Sequence, residues 1–183
     1  MCIINKKRII CRLVLICILV LYFARVILVN LRYDKPDIVI YKKGDVCTYG
    51  DFSFCMKTKE FMTYDEIRRN FSEIKEDYSV NDGDLFMIVG FDVTYNGDEE
   101  KATPKLTSVR FQSEGWFNGE EYAMLSILNP AGREIMRGET KRIHLAVYTG
   151  KITFADKDWM NVRNRQYNMT LSTYPDVIRM RCE

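Results

Sequence analysis

Any Ser-His-Asp or Cys-His arrangement in this chain would have to use its single histidine, His144. That residue lies in Arg142-Ile143-His144-Leu145-Ala146-Val147, an alternating run that places it on the strand face opposite Ile143 and Leu145. No G-x-S-x-G elbow accompanies it, so an exposed or half-exposed strand residue is expected rather than a base. Paired carboxylates are the second available chemistry. With 25 Asp and Glu, a glycoside-cleaving pair can be drawn in many ways and no spacing selects one. Asn96-Gly97-Asp98-Glu99-Glu100, with Asp92 nearby, offers oxygen ligands for calcium but lacks the alternating carboxylates of an EF-hand loop, and reads as a solvated hairpin tip. Clustered Cys/His ligands for zinc are absent, and Gly83 marks a turn rather than a phosphate cradle because no helix start follows it. No catalytic residue, metal ligand or cofactor is expected.

Binding chemistry is better represented. Trp116-Phe117 before Asn118-Gly119, and Trp159 in Asp156-Lys157-Asp158-Trp159, sit near turns. Exposed there, these aromatics would contact carbohydrate or a protein partner; folded inward, they would plug the ends of the core. Cys2, Cys11 and Cys17 belong to the N-terminal segment, whereas Cys47, Cys55 and Cys182 lie in the remainder. Outside the cytoplasm the latter three allow three pairings, among them Cys47–Cys55 across a short hairpin and Cys55–Cys182 between an early strand and the C-terminal end.

The elements that must position these residues are mainly strands. Phe52, Phe54 and Met56 alternate with Ser53, Cys55 and Lys57, giving one buried face. Leu85–Tyr95 is almost wholly apolar at first and then alternates, as a central strand would, and Asn96-Gly97 suits a tight hairpin turn. Further strands are predicted at Ile38–Tyr41, Thr107–Gln112, Tyr122–Leu128, Tyr167–Thr173 and Val177–Met180. One helix is predicted over 63–78, where Ile67, Phe71, Ile74 and Tyr78 share a face and Thr63 with Glu66 forms a capping box.

The runs Gly44-Asp45-Val46-Cys47, Val89 to Asn96, and Gly138-Glu139-Thr140 resemble the telokin-like, immunoglobulin-type domains of uncharacterised Gram-positive, membrane-anchored envelope proteins. In those families a glycine-acid pair opens an early strand, a long strand ends near an asparagine turn, and Gly-Glu-Thr precedes a late strand. The resemblance implies a mainly β, immunoglobulin-like β-sandwich over roughly residues 40–183, and carries no catalytic residues. In such a sandwich the last strand often lies beside an early one, which favours Cys55–Cys182 among the pairings.

Charge and hydropathy divide the chain. Ile9–Leu31 would form a helix of roughly 34 Å, enough to span a bilayer core. Residues 1–33 hold six bases and no acid, which leaves 21 bases and 25 acids for residues 34–183 and argues against a nucleic-acid footprint. The organisation expected is a cytoplasmic basic tip (1–8), a transmembrane signal anchor (9–31), a short stalk (32–37) and an extracytoplasmic β-sandwich (38–183). Lys6, Lys7, Arg8 and Arg12 favour a cytoplasmic N-terminus in the cell membrane. Cleavage after Ala24 would instead release a soluble domain, but Tyr22 occupies the −3 position of that cut, where a small residue is expected. The function expected is binding or scaffolding toward another envelope protein or a cell-wall polymer. The alternative is an extracytoplasmic hydrolase using a carboxylate pair.

Overall fold

A computed structural model describes residues 2–33, 36–71, 80–81 and 83–183. The chain divides into two units, Met1–Pro36 and Asp37–Glu183. The first is the helix α1 (Cys2–Arg32), within which Ile9–Arg32 has a mean hydropathy of 2.6, long and apolar enough to cross a membrane by length and composition.

The second unit is a two-sheet sandwich. One sheet pairs β1 (Ile38–Tyr41), β11 (Val177–Cys182), β10 (Tyr167–Ser172), β6 (Arg110–Ser113) and β7 (Trp116–Gly119), in that order. The other pairs β2 (Val46–Tyr49), β3 (Phe52–Met62), β4 (Leu85–Tyr95) and β9 (Thr140–Thr149). A two-stranded ribbon of β5 (Lys101–Ala102) and β8 (Ile135–Met136) completes the strands. Neighbouring strands are antiparallel except at the edge, where β1 runs parallel to β11. Phe54, Met56, Val89, Phe91, Leu145, Phe111, Met169 and Met180 fill the space between the sheets. Each such side chain contributes about 1.5–3 kcal/mol through burial.

The composition of β4 follows from what covers it. Its Leu85–Phe91 half is buried on both faces, because a second cluster of Tyr64, Ile67, Phe86, Ile88, Met124, Leu128 and Ala146 closes the outer side. Beyond it Asp92 and Thr94 face outward between buried Val93 and Tyr95, and alternation returns. The covering layer comes from α2 (Tyr64–Asn70) and α3 (Met124–Ile127). The capping box of α2 forms as predicted: Glu66 N donates to Thr63 Oγ1 at 3.3 Å and Thr63 N donates to Glu66 Oε2 at 2.7 Å. The helix described ends at Asn70. Ile74 and Tyr78, the rest of the predicted face, lie outside the described residues.

Two local expectations change. Tyr122–Leu128 contains the short helix α3 instead of a strand, since Met124 and Leu128, one turn apart, both sit on the sheet. Asn96-Gly97 is not a tight hairpin, because β4 pairs with β3 and β9 and the chain then enters the ribbon. Gly97 is instead required for close approach: a Cβ there would lie 2.5 Å from the Tyr95 ring. The alternation of β3 also changes phase. A bulge between Met56 and Thr58 leaves Lys57 unpaired, after which Phe61 rather than an even-numbered residue packs on the core.

Candidate ligand-binding groove

Cys47, Cys55 and Cys182 stand as free thiols, and neither Cys55–Cys182 nor Cys47–Cys55 is bonded in the structure. The β2–β3 register explains the second case: Cys47 opposes Phe54, both buried in the core, so Cys55 points from the opposite face. It also explains the first, since Cys182 is in that core and Cys55 is outside it. Burial pushes the Cys47 thiol up to about 11 and the Cys182 thiol up to about 12, which leaves both unreactive.

The turn aromatics mostly face inward. Trp116 is buried, stacked on Phe154 with ring centres 5.5 Å apart, and its Nε1 donates to Thr153 Oγ1 at 3.2 Å. Trp159 is half-buried against Phe154. Arg165 secures this end, pairing with Asp158 at 3.0 Å and lying over the Phe154 ring. Trp116 and Trp159 therefore plug the core and are not contact aromatics; Phe117, 78% exposed, is the one of the three that faces solvent.

His144 is half-buried on the outer face of its sheet, directly opposite Gly90. A Cβ at position 90 would come within 2.5 Å of Thr58 Oγ1 and 3.0 Å of the imidazole, so the missing side chain makes room for the ring. Burial, helped by Arg142 and opposed by Glu60, holds the imidazole below its ordinary value and therefore neutral. Among the described residues it makes no side-chain hydrogen bond to a nucleophile. Nor do three His, Cys, Asp or Glu side chains converge on a metal position among them.

Among the described residues, a concavity of about 750 Å³ opens at the end of the sandwich where β2 turns into β3 and β4 gives way to the ribbon. Its floor is aromatic. Phe52 and Tyr95 are opposed across β3–β4 with rings 5.1 Å apart, and Phe54 lies beside them. Its rim is polar, with Asp51, Asp98, Glu99 and Lys105, and Tyr49 stands as a partly exposed wall. The rim is held by the backbone: Asn96 N donates to Asp51 O at 2.8 Å and Glu99 N donates to Tyr95 Oη at 3.2 Å. The Asn96–Glu100 run is thus wrapped around one buried ring, and Asp98 reaches out to Arg137 at 3.5 Å with its carboxylate in solvent.

A hydrolytic pair needs one carboxyl kept protonated, which requires burial or a close like charge. Among the described residues, Glu120 is the carboxyl pushed upward, by burial and then by Glu121, and it does not line the groove. The lining residues carried no advance signal apart from the acidic run, because they come from two separate segments, residues 49–54 and 95–105, that only the fold brings together.

An end-groove on a mainly β sandwich defines a class of architecture, not an activity. The chain belongs to the family DUF5028, a domain of unknown function, which matches residues 38–178. No curated protein matches it. Among solved structures it is similar to an uncharacterised β-sandwich protein from Clostridium difficile 630, with 9% identity and a TM-score of 0.47 over 82% of this chain and 96% of that one. A functionally unknown protein from Listeria monocytogenes EGD-e gives 10% identity and a TM-score of 0.42 over 69% of this chain and 71% of that one.

Proposed function

We propose that this protein is a single-pass, membrane-anchored domain that binds or scaffolds on the extracytoplasmic side and does not catalyse. The observation that carries the reading is the end-groove: a fixed aromatic floor under solvated charges, a surface suited to gripping a ligand without activating it. The apolar Ile9–Arg32 helix supports the anchor. Lys6, Lys7, Arg8 and Arg12 before its centre support a cytoplasmic N-terminus. The two-sheet packing with a parallel β1–β11 edge is compatible with an immunoglobulin-type arrangement. Its partner would be another envelope protein or a cell-wall polymer.

The test is co-purification from envelope extracts with the full-length chain in mild detergent, alongside assays for glycan and peptide hydrolysis. Wild type is expected to retain a partner that Tyr49→Ala loses at least tenfold. Hydrolytic turnover by the wild type, with nothing retained above background, would overturn the reading.

A further inference from the structure

The outer face of the five-stranded sheet carries base without acid. Its strands contribute Arg110, Arg179 and Arg181 and no Asp or Glu, although residues 34–183 as a whole hold more acids than bases. Met169 and Leu171 of β10 enter the core, so Asn168 and Thr170 face outward. The register sets Thr170 between Arg110 of β6 and Arg179 of β11, and sets Asn168 between Gln112 and Arg181. Directly opposed neighbours of this kind stand roughly 5 Å apart at Cβ, close enough for the two arginine stems to shade the residue between them.

Thr170 is only 6% exposed, and among the described residues its Oγ1 has no hydrogen-bond partner. A buried hydroxyl left unpaired is costly, which makes it a donor in want of an acceptor. The three arginines differ in how they are occupied. Arg181 reaches Glu183 at 3.5 Å, and Gln112, with its amide oxygen turned across β10 toward β11, accepts from Arg179 at 3.2 Å. Arg110 has no ion pair or side-chain hydrogen bond among the described residues. Beside it lies a cavity of about 260 Å³ lined by Tyr49, Ser108, Arg110, Thr170, Ser172 and Tyr174, with no carboxylate in its wall.

We propose that this cavity binds a phosphoryl oxyanion, as free phosphate or as the phosphate group of a larger molecule. The Arg110 guanidinium would take two of its oxygens as a fork, the Thr170 hydroxyl would donate to a third from below, and Arg179 would add a second positive charge. A tetrahedral group has oxygens enough to meet the fork and the hydroxyl together, whereas a planar carboxylate has only two. Arg110 is exposed and its long stem is free to swing, so an incoming anion can draw it aside and reach the hydroxyl beneath. This site adjoins the end-groove through Tyr49, but Arg110 and Thr170 do not line that groove, so the two readings stand or fall separately.

The experiment uses the full-length chain in phosphatidylcholine nanodiscs, probed with inorganic phosphate, with inorganic polyphosphate and with phosphatidylglycerol vesicles. Wild type is expected to bind at least one probe, and which one it binds identifies the source of the phosphate. Arg110→Ala and Thr170→Val should each weaken that binding at least tenfold, while Arg137→Ala should not. Thr170→Val removes an unpaired buried hydroxyl, so its unliganded melting temperature should equal or exceed that of wild type, which separates lost binding from lost folding. Wild type binding none of the three probes, or either variant binding as wild type does, would overturn the proposal.

Discussion

At the scale of single residues, the most constrained charge in the sandwich is Asp84, which only the structure reveals. It is 4% exposed and accepts from the Tyr148 hydroxyl, from Lys151 N at 2.9 Å and from both the backbone and the side chain of Asn81. Burial pushes its carboxyl up, but these donors together outweigh burial and hold it below the ordinary value near 3.8. A depressed carboxyl stabilises the fold fully above the unfolded value, and the contribution is lost as pH falls through the folded value. Asp84→Asn, which turns an amide NH2 toward donors, should cost about 2–3 kcal/mol in urea unfolding at pH 7. The deficit relative to wild type should shrink toward pH 3. His144 acts in the same direction at milder acidity: its folded value is lowered, so the unfolded chain takes up the proton first as pH falls below about 6.5. The role of His144 as a half-buried strand residue was legible from Ile143 and Leu145 on either side. That of Asp84 was not, because two of its partners, Tyr148 and Lys151, are 64 and 67 positions away in sequence.

At the scale of elements, local pattern and tertiary cover divide the account between them. The capping box was readable as Thr63 and Glu66, and Thr63→Ala should lower stability by about 1 kcal/mol in the same unfolding measurement. Neighbouring donors hold the Glu66 carboxyl down, foremost the Thr63 backbone N–H, so that cap too weakens in acid. The strands with one buried face were legible because their period is two. Tyr122–Leu128 was not, since a short run of apolar residues reads alike as a strand or as one turn of helix. What decides it is Asn129, whose side chain donates to Leu125 O at 2.7 Å and to His144 O at 2.8 Å. It also accepts from His144 N at 2.9 Å. The side chain thereby takes the place of a neighbouring strand at the open edge of β9. A bulge is equally hidden: Lys57-Thr58 carries no residue that announces one.

At the scale of the whole molecule, charge is what the sequence apportioned well, separating an acid-free N-terminal segment from a mildly acidic remainder. It did not reveal how that remainder sorts its charge, with every arginine of the five-stranded sheet free of acidic strand neighbours and the carboxylates Asp51, Asp98 and Glu99 gathered at one end. Such sorting arises from strand order, which sets β6 beside β10 although α3, β7, β8 and β9 lie between them in sequence. The candidate contact residues changed for the same reason, as Trp116 and Trp159 became core and Tyr49 became a wall of the groove. The central claim is that the end-groove holds a partner while the protein sits in its membrane. It is tested most directly by photocrosslinking in intact cells, with a photoreactive residue replacing Tyr49 and, as a control, one replacing the exposed Met160. The expected result is a discrete adduct from position 49 alone. An absence of adduct at position 49, or the same adducts from both positions, would contradict it.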